Sequence, residues 1–234
     1  MTFAKPTRHL LLLTKEPVLG RVKTRLAAEV GDYGARGAAW AFLEDSLRLA
    51  SSAASRVAAK LVVLHAPDTS GDELSALVRS CAPAALTLPQ GAGDLGARLL
   101  RAFESFDGPR VAIGSDSPDL PPERIAEAFE ALEGSPAVLG PASDGGYYLI
   151  GLAPEVCPRF LEDAGISWSA PTTRSDTLAA MRRAGIDSRL LAERSDVDDI
   201  DALRDLARRL ERAGPTTAPA TRRWLAANEG LLRP

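Results

Sequence analysis

Val111-Ala112-Ile113-Gly114-Ser115-Asp116-Ser117-Pro118-Asp119-Leu120-Pro121-Pro122 is the stretch on which the fold turns. An apolar run of strand length ends at a glycine and leads straight into two aspartates. Pro121-Pro122 then open a segment in which Ile125, Phe129 and Leu132 recur at helical spacing. A buried strand, a polar loop and an amphipathic helix in that order form half of a βα unit. In open α/β sheets the carboxyl end of such a strand is where ligands bind.

The same pattern recurs on both sides. Upstream, His9 to Thr14 reads as a buried first strand, and the proline and glycine of Lys15-Glu16-Pro17-Val18-Leu19-Gly20 force a loop after it. Trp40, Leu43, Leu47 and Ala50 mark a helix from about Gly34 to Ala54. Leu61 to Leu64 reads as a strand, Asp72 to Ser80 as a helix, Leu86 to Leu88 as a weak strand and Leu95 to Phe106 as a helix. Downstream, Ala137 to Gly140 and Tyr147 to Leu152 read as strands, and Ile200, Leu203, Leu206 and Leu210 mark a late helix. This alternation predicts a three-layer α/β/α sandwich built on a mostly parallel mixed sheet. Residues 1–213 are expected to form one domain, and the Pro/Thr/Ala stretch from Gly214 to Thr221 reads as a linker to a tail ending at residue 234.

Composition narrows the function classes. With 45% hydrophobic and 25% charged residues the chain is of ordinary globular type, and no segment approaches the ~20 apolar residues that span a bilayer. Leu10 to Leu13 is too short for a signal-peptide core, so the expected location is the cytoplasm. Cys81 and Cys157 lack metal-ligand spacing and read as reduced thiols. A formal charge of −3 gives no general attraction to nucleic acid or an anionic membrane, so any anion site must be local.

Four stretches are candidates for chemistry. In Ser115 to Asp119, Asp116 with or without Asp119 suits a Mg²⁺ or Mn²⁺ diphosphate complex, because hard cations prefer carboxylate oxygens. The same residues fit an Asx turn with Asp119 capping the next helix. Gly20-Arg21-Val22-Lys23-Thr24-Arg25 alternates cations after a glycine, which suits phosphates at a helix entrance, although taken alone it reads first as a solvated basic loop. It is not a Walker A loop, since Val22 stands where glycine must precede the lysine. Gly140-Pro141-Ala142-Ser143-Asp144-Gly145-Gly146-Tyr147-Tyr148 places a carboxylate on a glycine-rich turn that lets backbone approach a ligand, or forms a plain hairpin turn. Asp196-Val197-Asp198-Asp199-Ile200-Asp201 reads by default as an acidic first helical turn. Gly91-Ala92-Gly93-Asp94-Leu95-Gly96 matches a dinucleotide-binding pattern, but the preceding strand is short and ends at Pro89.

In this order, Lys15-Glu16-Pro17, Gly20 to Leu26, Gly93-Asp94-Leu95-Gly96, Gly114 to Pro118, Gly140-Pro141, Asp144 to Tyr148 and Ile166-Ser167-Trp168-Ser169 resemble the nucleotide-diphospho-sugar transferase superfamily, with its glycosyltransferase A type fold. The nearest likeness is to a bacterial glycosyltransferase-like family, some of whose members are linked to arsenosugar biosynthesis. A more distant one is to phospholactate and molybdenum-cofactor guanylyltransferases. The resemblance implies nucleotide-phosphate binding by Lys15, Gly20, Arg21, Lys23, Arg25, Gly93 and Asp94, and metal binding by Asp116. Val197-Asp198 is similar to the late Val-Asp step at which related synthases place a second metal ligand, although Asp199, Ile200 and Asp201 replace the usual Thr-Pro-Glu continuation.

These readings converge on a Mg²⁺- or Mn²⁺-dependent transferase with a nucleotide-diphosphate sugar donor and a small-molecule acceptor. The cation, held by Asp116 and Asp198, would stabilise the leaving nucleotide, and Asp144 would serve as base to an acceptor hydroxyl. Gly145, Gly146, Tyr147 and Trp168 are expected to contact sugar or acceptor, although a tryptophan such as Trp168 is more often simply packed. A nucleotidyltransferase using a nucleoside triphosphate and releasing pyrophosphate is the alternative from the same groove. A nucleotide sensor without turnover is the alternative of another class.

Overall fold

The computed structural model describes residues 6–68 and 71–231; residues 232–234, the end of the expected tail, lie outside it. Seven strands form one sheet in the order β3-β2-β1-β4-β6-β5-β7. They are β1 Arg8–Lys15, β2 Ala59–Ala66, β3 Leu86–Pro89, β4 Arg110–Gly114, β5 Ala137–Pro141, β6 Tyr147–Leu152 and β7 Ser188–Leu190. β6 pairs antiparallel with both β4 and β5, and every other pairing is parallel. The expected mixed, mostly parallel α/β/α architecture is the observed one.

Leu10, Leu11 and Leu12 are all fully buried, as a central strand covered on both faces requires. Helix α1 (Thr24–Arg56) lies on β1 and β2 beside α2 (Asp72–Cys81) and α4 (Pro122–Ala131). Helix α3 (Leu95–Glu104) packs with the 3-10 turn Pro158–Glu162, which also meets α5 (Thr173–Arg183). Strand order reverses between β1 and β4, so the loops after these two strands stand at the switch point of the sheet, the place where open α/β sheets as a class bind ligands.

Helix α1 begins at Thr24 rather than near Gly34, broken at Gly31 by a left-handed φ of 72°. The break lets its first turns serve a second core, in which Leu26, Val30, Ala38 and Phe42 pack on Val197 and on Leu203, Leu206 and Leu210 of α6 (Ile200–Arg212).

The Gly214–Thr221 stretch departs from its reading as a linker. It turns the chain into α7 (Pro219–Ala227), which packs on α1. Asp45 of α1, 3% exposed, accepts hydrogen bonds from the Ala220 and Thr221 amides and the Thr221 hydroxyl at 3.0, 2.7 and 2.7 Å. Trp224 lies so close on Gly37 that a Cβ there would sit 2.7 Å from the indole nitrogen. The composition resembled a linker because the groups that hold α7 belong to a helix far away in sequence. Strand β7 and helix α5 also went unread, since neither Ser188–Leu190 nor Thr173–Arg183 carries a clear apolar period.

Candidate active site

The loop after β1 and the loop after β4 meet through one side chain. Lys23, at the entrance of α1 in a left-handed conformation (φ 46°), places its ammonium 2.5 Å from Asp116 and 2.7 Å from Asp198. Its side chain is 6% exposed, whereas those of the two aspartates are 55% and 45% exposed. Burial works against the lysine's charge, but Asp116 and then Asp198 outweigh it, so its pKa is raised and it stays protonated.

Backbone bonds hold these parts in register. The Val197 amide donates to the Asp116 carbonyl at 3.1 Å, and Val197 is fully buried in the second core. The chain before it runs along the hairpin turn between β5 and β6, where the Arg194 amide donates to the Pro141 carbonyl and the Ser143 amide to the Arg194 carbonyl. On that turn the Asp144 carboxylate accepts from the Gly146 amide at 2.8 Å. The hairpin and the carboxylate-bearing loop are therefore the same object.

Oxygens of Asp144, Asp196 and Asp198 all lie within 4.8 Å of one another. Burial, then the charges of Asp144 and Asp198, push the Asp196 carboxyl up to about 6. Three carboxylates crowded this closely are a donor set suited to a divalent cation. Asp198 belongs both to this group and to the Lys23 pair, and Asp116 to the lysine pair alone. Asp196, read before as part of an acidic helical turn, joins Asp198 because the two flank Val197 in a non-helical segment. Alternate residues of extended chain point the same way, and the D-x-D spacing was the available signal. The cap of α6 is Asp199, whose side chain accepts from the Ala202 amide at 2.9 Å.

Asp119 is neither a ligand nor a cap. Its side chain, 5% exposed, accepts from Arg209 at 2.8 and 3.3 Å and from Arg194 at 3.1 Å. The residue capping α4 is Pro121.

Lys15 at the end of β1, Arg21 on the loop after it and Arg25 at the start of α1 are exposed, and among the described residues their side chains have no hydrogen-bond or ion-pair partner. Gly20, with φ 72°, turns the same loop. Gly93 and Asp94 stand at the start of α3, where Asp94 accepts from the Ala97 amide at 2.9 Å, an N-cap that explains its place in the pattern. Gly96 makes room for Trp168, since a Cβ there would meet the indole at 2.5 Å. The dinucleotide-like glycines thus serve helix entry and the docking of Trp168, which is half-buried against α3. Gly145 is backed by the Pro171 carbonyl, 1.9 Å from where its Cβ would be, and has a φ of 91°. Gly146 donates its amide to Asp144, and Tyr147 turns its hydroxyl inward beside Thr177, where burial raises its pKa. The Tyr147 hydroxyl is therefore unavailable to a sugar.

Residues 49–170 match a family of bacterial proteins described as uncharacterized and conserved in bacteria, DUF2064, and the matched span contains Asp116 and Asp144. The chain is similar to phosphoenolpyruvate guanylyltransferase from Streptomyces avermitilis, 32% identical over 218 residues that cover 88% of this chain and 91% of the relative. A crystal structure from Desulfovibrio desulfuricans G20, provisionally named a nucleotide-diphospho-sugar transferase, is 31% identical, with a TM-score of 0.82 and coverage of 97% of this chain and 96% of that one. A cytidylyltransferase from Leptospira borgpetersenii shares the fold at 12% identity, with a TM-score of 0.57 and 97% of each chain covered. Among the described residues no helix is long and apolar enough to cross a membrane.

Proposed function

Since this chain belongs to the DUF2064 family and is a transferase, we propose that it is a nucleotidyltransferase, taking a nucleoside triphosphate, first of all GTP, and a small phosphorylated acceptor such as phosphoenolpyruvate. An acceptor phosphate oxygen attacks the α-phosphorus. The bond from that phosphorus to the oxygen bridging to the β-phosphate breaks, and pyrophosphate leaves with the electron pair.

The observation that carries this reading is the Lys23 bridge, which fixes a basic loop against a group of carboxylates at the switch point of the sheet. Lys15, Arg21 and Arg25 spread the charge of the triphosphate. Asp144, Asp196 and Asp198 hold Mg²⁺ or Mn²⁺, which when bound supplies neutralisation of the charge gathering on the phosphates. An acceptor phosphate is already ionised near neutral pH, so this reaction needs no base, and Asp144 serves as a ligand. Gly145 and Gly146 let the hairpin backbone approach the acceptor, and Gly93 and Asp94 border the nucleotide. Trp168 acts by shaping that border.

Glycosyl transfer from a nucleotide-diphosphate sugar is the second reading, favoured by the likeness to the D. desulfuricans protein. Purified protein incubated with each nucleoside triphosphate, each nucleotide sugar and phosphorylated acceptors, with and without Mg²⁺ or Mn²⁺, separates the two. Acceptor- and metal-dependent pyrophosphate release supports nucleotidyl transfer, and release of a nucleoside diphosphate from a sugar nucleotide replaces it. Binding without either product sinks both in favour of a sensor.

A further inference from the structure

In the loop after β3, Gln90 to Gly93, three carbonyls are held by arginines of α3. Arg101 donates from Nε to the Gln90 carbonyl at 3.1 Å and from Nη2 to the Ala92 carbonyl, and Arg98 donates from Nε to the Gly93 carbonyl at 3.0 Å. A Cβ on Gly91, whose φ is 76°, would stand 2.7 Å from the Arg101 Nε, so the glycine is what admits the arginine. The buried Gln90 side chain fixes the foot of the loop. Its nitrogen donates to the Thr14 and Leu64 carbonyls at 2.7 and 2.9 Å, and its oxygen accepts from Arg98 at 3.3 Å. Thr14 lies next to the end of β1, so one side chain ties this loop to the strand that leads into the basic loop. The amides have the opposite fate. That of Gly91 donates to Asp68 at 3.0 Å, but those of Ala92 and Gly93, both exposed, have no partner among the described residues. Asp94 caps α3 by itself, so these two donors stand apart from the helix's own first turn. β2 alone separates β1 from β3, which puts the two loops about two strand spacings, ~10 Å, apart. A nucleotide with its phosphates on the basic loop spans that gap with its base.

We propose that Gln90, Arg98 and Arg101 are positioning residues that present the Ala92 and Gly93 amides to the base, and that the loop thereby selects a keto purine over an amino purine. Guanine offers the acceptors O6 and N7, whereas adenine carries an amine where O6 would be. Amides that cannot turn away are left unpaired by that amine, and the carbonyls that could accept from it are held on the arginines. The inference rests on the reading of Lys15, Arg21 and Arg25 as the phosphate-binding cations. It holds alike for a nucleoside triphosphate and for a nucleotide-sugar donor, so it is independent of which group is transferred.

The test is calorimetric titration of the full-length protein, with Mg²⁺ and without acceptor, by GTP, inosine triphosphate, ATP and inorganic tripolyphosphate. Inosine triphosphate keeps O6 and N7 but lacks the guanine amine, so it isolates the keto group. GTP and inosine triphosphate are expected to bind roughly 10- to 100-fold more tightly than ATP. The double variant Arg98→Lys/Arg101→Lys keeps both charges and loses the forked grip on the carbonyls. In it the preference over ATP collapses toward parity, while tripolyphosphate binds as before. If the double variant does not fold, Arg101→Lys alone carries the same comparison. The inference is overturned if the unaltered protein binds ATP as tightly as GTP, if inosine triphosphate follows ATP, or if no nucleotide binds. It is equally overturned if the variant keeps its preference, or loses GTP and tripolyphosphate alike, as a merely structural role would have it. Selective binding of GTP and inosine triphosphate without pyrophosphate release sinks nucleotidyl transfer and still supports this inference.

Discussion

Asp116 and Asp119 sit three residues apart on the loop after β4, and the protein treats them in opposite ways. Asp119 is buried and gripped by Arg194 and Arg209, so every charge it carries is answered inside the molecule. Asp116 is more than half exposed, and among the described residues it pairs with Lys23, which it shares with Asp198. Carboxylates that are internally satisfied hold structure, and those left short of positive charge at a ligand crevice are available to chemistry.

The largest expected effect lies on the unsatisfied side. Asp196→Asn should lower transfer by about 10²-fold or more, the scale on which loss of one charge-stabilising group acts, while leaving the folded protein at least as stable. A pyrophosphate-release assay beside a thermal melt checks both halves; a large loss of stability with little loss of rate would exchange the roles assigned to the two regions.

Asp119→Ala should do the reverse. Leaving two arginines without their carboxylate should cost about 3 kcal/mol of folding stability, read from urea denaturation. Asp45→Ala extends the test to a second satisfied carboxylate. Stripping the amides of Ala220 and Thr221 of their acceptor should cost about 2 kcal/mol and free α7 first, seen as faster amide exchange in residues 219–227.

The smallest effect is a pH dependence. Folding raises the Asp196 carboxyl from an ordinary 3.8 to about 6, so its proton binds more tightly in the folded protein. That contribution is fully present below pH 4 and is lost as pH rises through about 6, and metal-free protein should lose about 1 kcal/mol across this window after allowance for solvent screening. Mg²⁺ or Mn²⁺ should restore the loss above pH 6 and have little effect below pH 5, measurable as a shift in Tm. Asp196→Asn should flatten the profile.

Much of the fold was legible because apolar periodicity is local. The strands Val111 to Gly114 and Ala137 to Gly140 and the helix opened by Pro121-Pro122 stand within a residue or two of their expected places. β7 and α5 escaped for want of a period, and α7 because its grip on Asp45 and Gly37 spans most of the chain. At the site, the basic loop and the stretches bearing Asp116, Asp144 and Asp198 were picked out as residue types in suitable settings. The resemblance set Asp116 apart from Asp119, but the grip of Arg194 and Arg209 on Asp119 was not legible, since both aspartates simply follow a buried strand and the arginines are far away in sequence.

What the sequence determined by itself is the order of elements and the set of charged residues delivered to the carboxyl ends of the strands, because strand, turn and helix signals are written in near neighbours. What only the tertiary structure decided is which of those charges meet. Lys23 reaches Asp198 across 175 positions and Arg209 reaches Asp119 across 90. The pairing follows from the reversal of strand order between β1 and β4 and from the packing of α6 on α1, and the energy of a charge depends on its burial and partners more than on its place in the chain.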